Sequence, residues 1–489
     1  MSPCYDAAVR GRDDEPGDRR DAERAFGRYR SIAGDFAAFT EALSTPLPRV
    51  VWAHPERIER AALAQLFAEE GIASTPLAWD EGALSLDTDR PGKHWGHWAG
   101  LFHVQEAASL LPVRALDPRP GQRVLDLCAA PGGKTARIAL ALANRGTVVA
   151  NDRSVDRLAA LSVTVARLGL LNVTCTSGDG TSYPLEAGPF DRVLVDAPCS
   201  AEGNARKNAA WRAHDPAFRA SITGTQRALL RRAALLCRPG GRVVYSTCTF
   251  APEENEAVVD AIVREGALRV IPIGAIAGLA TSPGLTEWEG ARFAPELAHA
   301  LRLWPHRSGT GGFFVALLER APGPEAIVPA PAPPGVDARE SATLRHFESA
   351  FGLGEAFAGL RFLGEGRYAR VVARDHAPPA GARLVSTGLP ISRNPSSDAP
   401  KLSTAGALAF GRRATSRVVE LDREGAYAFQ ARDALAIPRG VLPGVERGYV
   451  LARHGPHPLG CGRVSASETG RVIESEIPRA WSSTATGRW

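Results

Sequence analysis

The chain has 489 residues, room for about three domains of about 150 residues each. Its 44% hydrophobic content supports a large core, and 58 Lys+Arg against 53 Asp+Glu give a formal charge of +5, a mild excess that permits a polyanionic partner without requiring one. Seven scattered cysteines exclude a disulfide framework and fit a reducing cytoplasm; no run approaches the about 18 apolar residues of a membrane span, and the Arg- and Asp-rich first residues are not a signal peptide.

Residues 1–24 read as a solvated leader without packed structure. From residue 25, Phe26, Tyr29, Ile32, Phe36 and Phe39 recur at helical spacing until Pro46-Leu47-Pro48 stops the pattern. A strand is expected over 49–52 and a helix over 55–71, so 25–104 forms a small N-terminal α/β module. His94, His97 and His103 accompany Trp95 and Trp98 in one short segment. No carboxylate or Cys has matching ligand spacing, so no metal is expected, and the segment is read as a loop packing its aromatics on the next domain. From Gln105 strands and helices alternate. Strands are expected over 123–127, 147–150, 173–176, 192–195, 242–246 and 312–318, with helices over 133–143, 155–168, 226–237 and 253–265. This alternation predicts a doubly wound, largely parallel α/β sheet over 105–320. Ligands then bind beyond the carboxyl ends of the strands, where Asp126, Asp152, Asp179, Asp196 and Cys248 all fall. Residues 321–338 read as a stiff Pro-rich linker. Residues 339–489 read as an α/β or mostly β accessory domain, with a helix over 343–351 and strands over 448–452 and 470–475.

The segment Asp126-Leu127-Cys128-Ala129-Ala130-Pro131-Gly132-Gly133-Lys134-Thr135 is a strand breaking into a Gly-rich turn and then a helix. It matches neither of the usual glycine patterns that cradle phosphates, yet its glycines let a ligand approach the backbone closely. Asp152, after the next strand, can accept from ribose hydroxyls. Asp179, after the third strand, can accept from an adenine amine. Each Asp alone has a plainer explanation as a helix cap or turn residue; the ordered series argues for adenosine without phosphates, as in S-adenosylmethionine. Two cysteines complete the pattern, Cys199 in Asp196-Ala197-Pro198-Cys199-Ser200 and Cys248 in Tyr245-Ser246-Thr247-Cys248-Thr249. A lone Cys is usually a small core hydrophobe, the reading given to Cys128, Cys175 and Cys237. Two at strand ends suit cytosine chemistry. A thiolate adding at carbon 6 makes carbon 5 enamine-like, an acid such as Asp196 serves N3, and a second Cys assists expulsion of the first. Thiolate formation needs an electropositive site, for which Lys134, Arg206 and Lys207 are candidates. The residues alone do not order the two cysteines.

Together these segments resemble the RNA cytosine-C5 methyltransferases, particularly the bacterial ribosomal-RNA branch that carries a C-terminal RNA-binding domain. The cofactor turn and both cysteine motifs resemble that family's, as do Pro252-Glu253-Glu254-Asn255-Glu256, the domain entry Gln105-Glu106-Ala107-Ala108-Ser109 and the last strand Thr310-Gly311-Gly312-Phe313-Phe314. Six motifs in order cover about residues 100–320. The resemblance implies a class I S-adenosylmethionine-dependent methyltransferase fold, Rossmann-like, with Cys248 as nucleophile and Cys199 as the release cysteine. It implies that Cys128, Ala129, Ala130, Pro131, Gly132, Gly133, Lys134, Asp152, Arg157, Asp179 and Asp196 contact S-adenosylmethionine or the target base. Ala201 departs from the family, which commonly has Gly there. The N-terminal module is then an RNA-binding one. The tail, with His457-Pro458-Leu459-Gly460 and Glu476-Ile477-Pro478-Arg479, is similar to small PUA-like β domains that bind structured RNA. The partner implied is RNA, small-subunit ribosomal RNA before transfer RNA, in the cytoplasm, with no membrane and no obligate protein partner. Two other readings compete: an inert RNA-binding ribosome-assembly factor, and DNA cytosine methylation with the Pro-Cys cysteine as nucleophile.

Overall fold

A computed structural model describes residues 19–207, 216–323, 335–364, 368–393, 400–438, 440–467 and 470–481. The leader over 1–18, most of the Pro-rich stretch and Cys4 lie outside these. The catalytic-type sheet is built from β1 (Arg123–Asp126), β2 (Thr147–Asp152), β3 (Val173–Ser177), β4 (Phe190–Asp196), β5 (Cys237–Thr247), β6 (Leu301–Leu303), β7 (Phe313–Arg320) and β8 (Leu384–Thr387). Its order along the main path is β6-β7-β5-β4-β1-β2-β3-β8, with a short strand Ser282–Pro283 beyond β6. Strands β1 to β5 run parallel; β7 and β8 close the two ends antiparallel. β2 is buried along its whole length, as a strand covered on both faces must be. The chain leaves β1 in one direction toward β2 and β3 and returns on its other side with β4. The switch point therefore lies between β1 and β4, where such sheets bind ligands.

The covering helices follow from local chemistry. α4 (Val155–Leu168) starts where Ser154 accepts from the Arg157 amide and stops at Gly169, which has φ 69°. α3 (Gly133–Ala141), α5 (Pro216–Leu236) and α6 (Glu256–Arg264) complete the layers. The predicted elements match in order and type. The largest boundary differences are that α5 begins ten residues earlier than the sequence suggests and β5 five residues earlier.

The flanking regions differ more. Residues 19–24 are not leader: they form most of α1 (Arg19–Phe26), with Ala22 fully buried. α1 and α2 (Phe36–Leu43) leave the N-terminal sheet and pack on the catalytic domain. Phe26 and Phe39 meet Phe250 at ring-centroid distances of 5.8 and 5.2 Å, and Phe39 meets Trp304 at 5.4 Å. Apolar spacing identified these residues as core but could not say whose core. The strands Ser74–Pro76, Ala83–Leu86, Arg49–Ala53 and Phe102–Val104 form a separate antiparallel sheet in that order. The histidine segment is a short helix, Trp95–Trp98. Trp95 is buried, 4.9 Å from the ring of His454 in the C-terminal region, while the His103 ring meets Arg167 of the next domain at 2.7 Å. Among the described residues no cluster could hold a metal ion, and no helix is long and apolar enough to cross a membrane.

The C-terminal region holds two five-stranded sheets. It is not a module hung on a spacer. β8 adds to the edge of β3, the Ala373 amide donates to the Leu171 carbonyl at 3.0 Å, and the Gly388 amide to Val173 at 2.8 Å. His376 meets the Thr174 hydroxyl at 2.7 Å, and the Gly146 amide donates to Asp375 at 2.8 Å. Half-exposed Leu384 and Val385 carry no clear two-residue alternation, which is why this strand was invisible in the sequence.

Two outcomes follow from these seams. Removing residues 339–489 uncovers the β3 edge and strands several buried donors and acceptors, at about 1 kcal/mol for each lost bond. The truncated chain should melt lower and aggregate in calorimetry with light scattering; melting like the full chain would show that the seam is not structural. Burial also pushes His54, His103 and His376 down to about 3, with nearby arginines adding to it. They stay neutral in the fold while the unfolded chain takes up protons below about 6.5. Stability should therefore hold above about pH 6.5 and fall as the pH drops toward 3, by up to about 1.4 kcal/mol per pH unit for each histidine. Denaturant midpoints read between neutral and mildly acidic pH check this, and His376→Asn should flatten the slope.

Candidate active site

The turn after β1 is held by its neighbours. The Ala129 amide donates to the Asn151 carbonyl at 2.8 Å, and the Ala130 amide to Asp152 Oδ2 at 3.1 Å. Gly132 sits at φ 110°, and a Cβ there would lie 3.0 Å from Leu161, so only glycine opens α3 here. Arg157 donates to the Ala130 carbonyl and lies 3.6 Å from Asp152. It clamps the turn from α4. Asp152 likewise orders the backbone, accepting from Ala130 and Ser154. Asp126 accepts from the Thr135 hydroxyl at 2.7 Å, while its other oxygen is buried without a partner. Burial pushes its carboxyl up to about 7, against the Thr135 hydrogen bond. Asp179 is exposed and caps the Thr181 amide at 2.9 Å. Cys128 is held far above the ordinary thiol range by burial and by Asp126, Asp152 and Asp196, so it stays protonated and is no nucleophile.

This edge presents four carboxylates, Asp126, Asp152, Asp179 and Asp196, and two cations that are already paired. A diphosphate would meet repulsion here. A ligand rich in donors and positive charge, such as S-adenosylmethionine with its sulfonium, ammonium, ribose hydroxyls and adenine amine, fits the donor set.

The cysteines meet beside it. Cys199 lies in the loop after β4 and Cys248 just after β5, with their sulfurs 3.4 Å apart. The parallel register pairs Asp196 with Ser246, whose hydroxyl donates to Asp196 Oδ1 at 2.7 Å. Lys134, at the start of α3, donates to Asp196 Oδ2 at 2.7 Å. Burial alone would lower the Lys134 ammonium; Asp196 holds it above its ordinary value. The two thiols are driven apart. Cys248 is lowered because the Cys199 thiol donates to it, with Lys207 and Lys134 adding to this against burial and Asp196. Cys199 is raised by that same bond, by burial and by Glu254. Of the two predicted cations in the loop, Lys207 acts on Cys248. Arg206 does not: its donors are taken by Thr45, Pro46, Gly309 and Thr310.

Several further residues complete the site; Glu254 and Thr249 lie in motifs that assign them no role, and Glu202, Tyr29 and Asn204 lie outside any motif. Glu254 accepts from the Ser200 amide at 2.9 Å and from Gln226 at 3.0 Å. Thr249 donates to Glu202 at 3.1 Å, and Tyr29 of the N-terminal segment donates to the same carboxylate at 2.6 Å. The Asn204 side-chain amide donates to Cys248 Sγ at 3.3 Å. Gly203 admits the loop against the last strand, since a Cβ there would lie 2.1 Å from the Gly312 carbonyl oxygen.

Ala201 sits at φ 58°, in the left-handed region. That explains why glycine suits the position: the Ala methyl strains the backbone. Ala201→Gly should raise stability by about 1 kcal/mol in thermal unfolding; a lower melting temperature would mean that the methyl packs favourably enough to outweigh the strain.

Residues 113–319 match the family described as 16S rRNA methyltransferase RsmB/F. The ribosomal RNA small subunit methyltransferase F of Klebsiella pneumoniae (strain 342) is 36% identical over 61% of this chain and 62% of its own length. A mouse 28S rRNA (cytosine-C(5))-methyltransferase is 36% identical over 58% of this chain and 36% of its own length. The chain thus spans between about a third and somewhat under two thirds of these relatives. A crystal structure of a methyltransferase homolog from Pyrococcus horikoshii is 30% identical, covers 62% of this chain and 98% of that one, and superposes with a TM-score of 0.55. With the sheet, the cofactor-type edge and the paired cysteines in place, the chain belongs to the RsmB/F methyltransferase family.

Proposed function

We propose that this chain methylates carbon 5 of cytosine in RNA, using S-adenosylmethionine, through a covalent adduct between Cys248 and carbon 6. The observation that carries this is the pair of sulfurs 3.4 Å apart beside the carboxylate edge, with Cys248 biased toward thiolate and Cys199 toward thiol. Ribosomal RNA is the substrate we favour over transfer RNA, because the Klebsiella and mouse relatives are named for ribosomal RNA. We place the reaction in the cytoplasm.

The Cys248 thiolate forms a bond to carbon 6 and pushes the ring electrons toward carbon 5. Addition takes up a solvent proton at N3, and the Asp196 carboxylate, fixed by Lys134 and Ser246, would accept from that N3–H until release returns the proton. Cys128–Lys134, Asp152, Asp179 and Asp196 would hold S-adenosylmethionine, which would supply an electrophilic methyl group at carbon 5. With its sulfur bonded to carbon, Cys248 no longer carries the charge that holds the Cys199 proton. Cys199 can then lose its proton to solvent and, as the thiolate, take the carbon 5 proton. The carbon 5–carbon 6 double bond reforms, the carbon 6–sulfur bond breaks, and its electrons return to Cys248.

The two cysteines should fail differently. Cys248→Ala should give neither product nor covalent complex. Cys199→Ala should form the adduct and methylate, but leave RNA bound to Cys248. Denaturing electrophoresis after incubation with cofactor and ribosomal RNA reads both. A trapped complex with Cys248→Ala and none with Cys199→Ala would reverse the roles. No transfer to any RNA by the parent chain, with cofactor still bound, would favour an inert assembly factor.

A further inference from the structure

Asn204 lies at the end of the short helical turn Glu202–Asn204 that follows Ala201. The turn is tied to the second cysteine twice. The Gly203 amide donates to the Cys248 carbonyl at 2.9 Å, and the Asn204 side-chain Nδ2 donates to the Cys248 sulfur at 3.3 Å. The Asn204 backbone is already committed: its amide donates to Ala201 at 2.9 Å, and its carbonyl accepts from Lys207 at 2.8 Å. The side chain is therefore held against the sulfur by a fixed backbone. An amide N–H can only donate, so it favours a charged sulfur over a neutral one.

We propose that Asn204 is a further catalytic residue, whose side-chain amide stabilises negative charge on the Cys248 sulfur as it attacks carbon 6 and again as it leaves. This rests on Cys248 being the nucleophile. Two donors converge on that sulfur, the Cys199 thiol at 3.4 Å and the Asn204 amide at 3.3 Å. They differ in what they do next. Cys199 ionises before release and takes up the carbon 5 proton only as the double bond reforms, while Asn204 keeps its own throughout. Asn204 is thus the donor that persists when the carbon–sulfur bond breaks and the electron pair returns to sulfur. The other charged groups acting on this thiol are Lys134 at the start of α3, Lys207 in the same loop, and Asp196 at the end of β4, which opposes them. Unlike either lysine, Asn204 stabilises the thiolate without adding a cation that an RNA phosphate could draw away.

The test is the pH dependence of alkylation of Cys248 by iodoacetamide, read on its own peptide by mass spectrometry in the full chain. Asn204→Leu removes the donor at similar volume. Its alkylation midpoint should rise by about one pH unit, leaving about tenfold less thiolate at neutral pH. Asn204→Asp keeps the shape and adds a negative charge, so its midpoint should rise further. An unchanged midpoint in Asn204→Leu, with melting unchanged, would overturn the proposal. If the leucine variant does not fold, an unchanged or lowered midpoint in Asn204→Asp would overturn it instead. The alkylation readout needs no RNA. A covalent RNA complex surviving in Cys248→Ala would sink the nucleophile assignment while leaving the measured donor effect in place.

Discussion

The parallel register of β4 against β5 is the constraint from which the site follows. It pairs Asp196 with Ser246, so the loops leaving the two strands emerge side by side on one edge. Cys199, three residues beyond one strand, then meets Cys248, immediately beyond the other. A slip of one residue would turn every side chain of a strand to the opposite face. It would also separate Ser246 from the carboxylate that Lys134 holds. The sulfur contact is thus set by a ladder of buried Val, Leu and Tyr residues rather than by the loops themselves.

The surrounding modules lean on that edge through buried polar contacts. Half-buried Arg57 and buried Arg167 donate to backbone carbonyls of Ala99, Phe102 and Arg167 itself. Burial draws their guanidinium groups down to about 10 and about 9. Each still bonds carbonyls from separate segments, so it joins the N-terminal sheet to α4. On the other side, Tyr29 reaches Glu202 and Arg28 pairs with Glu253, one residue before the Glu254 that holds the Cys199 loop. The N-terminal helices therefore brace the loop that carries Cys199, although they lie far from it in sequence.

The catalytic core was legible because its signals are local. The turn after Asp126, the strand-end carboxylates and both cysteine motifs are contiguous segments, and the alternating pattern places each at a sheet edge. Signals that depend on partners distant in sequence were not legible. Phe26 and Phe39 announced burial but not that Phe250 and Trp304 would receive them. β8 had neither alternation nor length to mark it, and joins a sheet whose nearest strand lies some two hundred residues earlier. Arg206 reads as a site cation from its position, yet its donors go to carbonyls and the Thr45 hydroxyl, and Arg157, which only the resemblance brings to the site, clamps the Ala130 carbonyl beside Asp152. Asn204 sits five residues past Cys199, beyond the motif that ends at Ser200. Only the fold of the turn reveals that its amide points at the other cysteine's sulfur.

What separates the two half-buried thiols is first the hydrogen bond from Cys199 to Cys248 and then the asymmetry of their surroundings. Positive charge from Lys134 and Lys207 and the Asn204 donor gather at Cys248; Glu254 stands near Cys199. Equal environments would leave a proton shared between the sulfurs and neither fit to attack. The unequal ones place the charge on Cys248 and the proton on Cys199. Bonding Cys248 to carbon then removes the charge that kept Cys199 protonated. In the proposed reaction the order of attack before release is in this way a consequence of electrostatics fixed by the fold.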